Sequence, residues 1–102
     1  MKFQLAGLSL RPREAKLCVA DMREGTTVTL VVEPDNRFDP FAVRVIDDDT
    51  SIFIGYVPRT GSQEVSEKLV RLGFNAYRCH LTEADPKTPV FTLEWLDDET
   101  EL

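Results

Sequence analysis

Glu33-Pro34-Asp35-Asn36-Arg37-Phe38-Asp39-Pro40-Phe41-Ala42-Val43-Arg44-Val45, and after a short gap Ile54-Gly55-Tyr56-Val57-Pro58-Arg59, form the segment around which the chain is organised. Two apolar, strand-like runs flank a turn dense in Asp, Asn and Pro, and a third run stops at Gly55-Tyr56-Val57-Pro58-Arg59. Asn and Asp side chains bond their own backbone a few residues on, and Pro presets φ, so this turn has the chemistry to hold one shape. An aromatic ring beside a carboxylate in such a turn makes a small recognition surface on a rigid frame.

The flanking residues supply that frame. Residues 26–33 alternate as a strand, with Val28, Leu30 and Val32 on one face. Residues 40–46 form the next strand, Phe41, Val43 and Val45 facing one way and Ala42, Arg44 and Ile46 the other. Asp47 to Ser51 make a polar hairpin loop, and residues 52–57 complete a three-stranded meander. Upstream, residues 2–10 read as a first strand through Phe3, Leu5, Leu8 and Leu10, broken at Ala6-Gly7. Residues 11–24 fit either a short helix after Pro12, stopped by Gly25, or an irregular segment.

Downstream, Thr60 and Gln63 have the spacing of a capping box. The helix that follows places Val65, Leu69, Val70 and Leu72 on an apolar stripe, with Gly73 as its C-cap and Phe74 folding back on the last turn. Residues 74–83 and 89–96 form two more strands around the turn Ala84-Asp85-Pro86-Lys87. The expected fold is mainly β with one or two helices, a small OB-like, partly closed barrel of about six strands. It occupies residues 1–96 and is followed by an acidic C-terminal tail, 97–102.

Composition places the chain among soluble globular domains, with 42% apolar and 29% charged residues in 102. No signal-peptide core follows Met1, and no apolar run approaches the ~20 residues needed to span a bilayer, so a cytoplasmic location with no membrane partner is expected. The formal charge of −6 argues against a uniformly basic surface. Seven of the acids, however, sit in two clusters, Asp47 to Asp49 and Asp97, Asp98, Glu99 and Glu101. Setting those aside from the 18 acids leaves 11 against 12 Lys and Arg, a near-neutral body.

Catalytic chemistry finds little support. Cys79 and His80 are adjacent, and strand alternation points them to opposite faces, against a nucleophile pair. Cys18 and Cys79 read as buried free thiols. Two Cys and one His fall short of a structural zinc site. Asp35, Asp39 and the 47–49 run read as turn formers and a solvated loop, without the glycine and distal Glu of a calcium loop. No Gly-rich phosphate loop occurs, so neither an enzyme nor a cofactor is expected. Binding is better served: Phe38 as a stacking platform, with Tyr56 and Arg59 ending a neighbouring strand, suits a nucleotide.

These residues carry a family resemblance. The Glu33-Pro34 pair, Asn36, the Phe38-Asp39 pair and the Ala42-to-Val45 alternation, with Ile54-Gly55-Tyr56-Val57-Pro58-Arg59 and the opening Leu5-Ala6-Gly7-Leu8, resemble the HIRAN domain over nearly the whole chain. HIRAN domains occur at the N-terminus of Swi/Snf-type ATPases and as stand-alone or fused modules in bacteria and phages. The resemblance implies an OB-related barrel that binds single-stranded DNA, in one member by capturing the free 3′ end. It assigns Phe38 to stacking on the terminal base, Asp39 to accepting from the 3′-hydroxyl and Asn36 to shaping the turn. Tyr56 and Arg59 fall at pocket-lining and phosphate-contacting positions. Arg37 stands where the pattern has Pro, and Ser9 and Leu10 stand where a basic–aromatic pair contacts DNA. Weak, salt-sensitive binding is therefore expected, beside a helicase, nuclease or ATPase partner. The alternative is a protein-interaction or accessory domain that keeps the fold without binding DNA.

Overall fold

The computed structural model describes residues 1–74 and 76–95. Leu96, the proposed tail 97–102 and Asn75 lie outside the described residues. Six strands, β1 (Lys2–Gln4), β2 (Thr27–Val32), β3 (Val43–Asp47), β4 (Phe53–Tyr56), β5 (Ala76–Glu83) and β6 (Val90–Thr92), form one sheet in the order β1-β6-β5-β2-β3-β4. Every pairing is antiparallel. Two α-helices, α1 (Arg13–Ala20) and α2 (Arg59–Leu72), complete the fold, with a 3-10 turn at Leu8–Leu10. The sheet is a curled half-barrel, as the alternation and turn spacing imply.

The strand edges at the two ends of the sheet come together. Ala6 N–H donates to the Tyr56 carbonyl at 2.9 Å, and Tyr56 N–H donates to the Ala6 carbonyl at 2.8 Å. This bridge brings the chain just past β1 against the β4 edge. Gly55 permits it: a Cβ at that position would lie 2.5 Å from the Ala6 carbonyl oxygen and 2.9 Å from Leu5 Cδ1. The core inside the curl includes Val28, Leu30, Val45, Ile54, Leu81 and Phe91, all at most 1% exposed. Each such side chain contributes about 1.5–3 kcal/mol when fully buried.

Several local expectations are corrected. The first strand is three residues rather than nine, because Gly7 takes a left-handed conformation (φ 77°) and turns the chain into the 3-10 segment. The open choice over residues 11–24 resolves as α1, which ends at Ala20, ahead of Gly25. The capping box does not form, since α2 begins at Arg59 on Pro58, whose carbonyl accepts from Gly61 and Ser62 N–H at 2.9 and 2.8 Å. Pro at this boundary is preorganised for the helix entry. Thr60 thus lies inside the first turn, and the Gln63 amide donates to Glu67 instead, at 2.8 Å.

The buried face of α2 is Ser62, Val65, Ser66 and Leu69, while Val70 is 65% exposed. Five residues from Val65, Val70 sits about 140° round the helix and leaves the stripe. Gly73 closes the helix in the left-handed conformation (φ 77°), and Phe74 N–H folds back to the Leu69 carbonyl at 2.9 Å. The Phe74 ring lies on Tyr77, with centroids 5.4 Å apart.

The acidic hairpin is not simply solvated. Asp47 is buried, and its carboxylate accepts from Thr50 N–H and Oγ1 at 3.0 and 2.7 Å, which fixes the β3–β4 turn. Asp48 lies 3.1 Å from Arg78. Among the described residues, no helix is long and apolar enough to cross a membrane.

Candidate functional site

β2 and β3 diverge after Val32 and before Val43, and the residues between them build a compact turn from their own polar groups. The Glu33 carbonyl accepts from Asn36 N–H at 3.1 Å, and Asn36 Oδ1 accepts from the N–H groups of Phe38 (2.9 Å) and Asp39 (3.0 Å). Asp39 repeats the device one step on: Oδ1 accepts from Phe41 N–H at 2.9 Å. With the turn so braced, Phe38 is left at its crest, 84% exposed. The Phe38 ring does not dock inward but faces solvent.

α2 ties the turn to the body of the domain. Its early start puts Arg59 in the first turn, where Nη2 donates to the Phe38 carbonyl at 2.9 Å. One turn later the buried Ser62 hydroxyl donates to Asp39 Oδ2 at 3.2 Å. Arg59 and Asp39 are therefore held from two elements. Between them and β4 lies a cavity of about 280 Å³, lined by Gly7, Asn36, Phe38, Asp39, Tyr56 and Arg59 among others. This is the low end of small-ligand cavities, ~300–1,000 Å³. A second cavity of about 250 Å³ lies where Phe38, Asp39 and Arg59 meet Phe41, Ser62 and Gln63.

Under the turn sits a residue outside the expected set of binding residues. Glu33 Oε1 accepts from Asn36 Nδ2 at 2.6 Å and from the Tyr56 hydroxyl at 3.2 Å, and Oε2 is paired with Arg44 Nε. Burial pushes the Glu33 carboxyl upward, but bonds from Asn36 and Arg44, the Arg44 charge and the Tyr56 bond together hold it below its ordinary value of 4.5. Burial, then the Glu33 charge and bond, raise the Tyr56 phenol, so it stays protonated and donates. Alternation carried a signal for this hub, since Glu33 and Arg44 both fall on the outer face of the β2–β3 pair. The Asp39–Ser62 bond had no sequence signal, because it spans a turn and a helix.

The structure thus brings together Asn36, Phe38, Asp39, Tyr56 and Arg59. It does not bring Ser9 or Leu10 to them. The turn at Gly7 carries both toward α1, where Ser9 lines a separate cavity of about 720 Å³ with Lys16 and Lys87, and Leu10 is 87% exposed. Arg37 is exposed on the turn and does not line the cavity behind Phe38.

The thiols are protonated. Burial, then the Asp48 charge, pushes Cys79 up to about 12, and burial raises half-buried Cys18 despite a bond with Thr50. Cys79 faces the core and His80 the opposite side of β5, as alternation requires. Among the described residues, no three His, Cys, Asp or Glu side chains converge to hold a metal.

No curated protein and no solved structure matches the chain. The sequence profile of the HIRAN domain matches residues 1–90, which takes in β1 through β5, both helices, the turn bearing Phe38 and every residue of the cavity behind it. The chain therefore belongs to the HIRAN domain family, generally a DNA-binding module.

Proposed function

We propose that this domain is a non-catalytic module that binds single-stranded DNA at a free 3′ end, in the cavity between Phe38 and Tyr56. The observation that carries the reading is Phe38, 84% exposed on a turn held by bonds to the side chains of Asn36 and Asp39. A ring held outward on a fixed frame is a stacking platform, and base–aromatic stacking contributes ~1–3 kcal/mol per base. Arg59 uses Nη2 on the Phe38 carbonyl, which leaves Nε and Nη1 for a phosphate. Asp39 accepts one bond on each carboxylate oxygen and keeps lone pairs for a sugar hydroxyl. The cavity volume of about 280 Å³ fits one terminal nucleotide rather than a longer segment. A helicase, nuclease or ATPase working on the same strand is the partner this module would serve.

The test is fluorescence anisotropy at low salt, with a short strand ending in a 3′-hydroxyl against the same strand ending in a 3′-phosphate. Preferential binding of the hydroxyl end is expected, lost in Phe38→Ala and equalised in Asp39→Ala. Equal binding of both ends, unaltered by Asp39→Ala, refutes end recognition.

A second reading, a protein-interaction domain, has its own observation. Leu10 and Leu17 are 87% and 53% exposed on the 3-10 and α1 segments that line the larger cavity. Absence of any DNA binding at low salt favours it.

A further inference from the structure

The outer face beside the pocket carries an arginine that the end-binding site does not use. Arg11 follows the 3-10 turn and precedes α1. Its Nε donates to the Phe53 carbonyl at 3.0 Å, and its guanidinium carbon lies 3.9 Å from the centroid of the Phe53 ring. Phe53 in turn meets Tyr56 edge-on, with centroids 5.1 Å apart and planes at 89°. Tyr56 lines the pocket. A continuous row therefore runs from the pocket over Tyr56 and Phe53 to Arg11.

Two arginines touch Phe53, and their charges differ in availability. Arg44 lies 4.7 Å from the ring centroid, but its charge is matched by Glu33. Among the described residues, no carboxylate pairs with Arg11. Capping the exposed edge of β4 accounts for the Nε bond, yet it leaves Nη1 and Nη2 without an acceptor. A guanidinium already fixed by one hydrogen bond and by an aromatic face loses little freedom when those two nitrogens close on an oxyanion. Bidentate contact with a phosphate is the geometry such a fork matches.

We propose that Arg11, laid on Phe53, is a second phosphate-binding group that takes the DNA backbone as it leaves the Phe38–Tyr56 pocket. The inference rests on the end-binding reading above. The Tyr56 and Phe53 ring centroids are 5.1 Å apart and the Arg11 guanidinium carbon is 3.9 Å from the Phe53 centroid, so Arg11 lies beside the pocket, within reach of the backbone of the first few nucleotides. The contact thus falls on one of the first three linkages from the 3′ end.

The experiment uses the full chain and eight-nucleotide strands with a 3′-hydroxyl, each carrying one neutral methylphosphonate linkage at a successive position. In the wild type, a neutral linkage at the Arg11 contact, one of the first three positions, weakens binding about fivefold. Arg11→Gln weakens binding to the unmodified strand by a similar factor and flattens the log–log salt slope by ~0.7, the value for one single-strand phosphate. In Arg11→Gln that neutral linkage has no further effect, while Arg11→Lys keeps the wild-type salt slope. Melting of each variant reports its fold, and Arg11→Met, which removes the charge but keeps an apolar stem over Phe53, carries the test if Arg11→Gln is unfolded.

The outcomes separate the two readings. If the wild type fails to bind, or Phe38→Ala changes nothing, the end pocket falls and this proposal with it. If Phe38→Ala abolishes binding but Arg11→Gln retains the wild-type affinity and slope, Arg11 alone is refuted. Arg11 is refuted too if every neutral linkage weakens Arg11→Gln as much as it weakens the wild type.

Discussion

Glu33→Gln removes one negative charge from beneath the turn and nearly nothing in volume, so its effect isolates the hub. Glutamine keeps an acceptor oxygen for Asn36 Nδ2 and the Tyr56 hydroxyl, but it turns an NH₂ toward Arg44 Nε, a donor against a donor. A hydrogen bond to a charged group contributes ~1.5–3 kcal/mol net. The Glu33 side chain is only 14% exposed, but Arg44 is 44% exposed and partly screened, which selects the lower end, about 1.5 kcal/mol. At ~4–8 °C per kcal/mol for a domain of this size, Tm should fall by about 6–12 °C at pH 7. The dependence on pH follows from the lowered Glu33 carboxyl. Folding depresses its pKa below 4.5, so the unfolded chain binds its proton first and stability rises with pH in that range. The Glu33 contribution is full above about pH 5 and disappears as pH falls through the folded-state value. Paired urea titrations of wild type and Glu33→Gln from pH 7 to pH 3 should therefore show a gap that narrows below 4.5. Other carboxylates titrate in both proteins and cancel from the difference. A gap that stays constant to pH 3, or no gap at pH 7, refutes the assignment of Glu33 as an ionised hub.

Gly55→Ala places a methyl 2.5 Å from the Ala6 carbonyl and should separate the β4 edge from the chain after β1, lowering stability by about 3 kcal/mol in urea unfolding. Leu69→Ala should cost about 2–5 kcal/mol and Val70→Lys less than about 0.5, a contrast that a shared apolar stripe cannot give. Native protein with a thiol reagent at pH 8 should modify Cys18 slowly and Cys79 only on unfolding, because Cys79 is 4% exposed and titrates at about 12.

How much of this architecture could be read from the sequence depends on whether a contact is local. β2, β3 and β4 were legible because each has one face in the core, and half-buried strands write that fact as alternation: Val28, Leu30, Val43 and Val45 are all fully buried. The turn at Asn36 to Asp39 was legible for a related reason, since Asx bonding acts within three residues and needs no knowledge of the sheet. The first strand was not. Phe3, Leu5 and Leu8 are all buried, but Leu8 enters the core from a 3-10 turn and Leu10 does not enter it, so apolar residues alone concealed the break at Gly7. Placing β5 between β2 and β6 rests on pairings such as Val28 with Cys79, which join residues far apart in sequence and leave no mark on either strand.

The site follows the same division, and this has a physical consequence. Each half of the pocket is specified locally: Asn36 and Asp39 shape one wall, and Tyr56 ends a recognisable strand. What joins the halves is non-local: the Tyr56 bond to Glu33, the Ser62 bond to Asp39 and the Arg59 bond to the Phe38 carbonyl. All three depend on β4 pairing in register with β3 and on α2 starting at Arg59. A one-residue slip of β4 would turn Tyr56 into the core and dissolve the pocket without touching the turn. The bulge between Val45 and Ile46 resets that register, pairing Val45 with Gly55 but Ile46 with Phe53. It keeps Phe53 and Tyr56 together on the outer face, their rings 5.1 Å apart, although they are three residues apart in sequence. Regular alternation would have put them on opposite faces. The irregularity in β3–β4 pairing is therefore what lines up the pocket, Phe53 and Arg11, and it is the feature that composition and periodicity are least able to reveal.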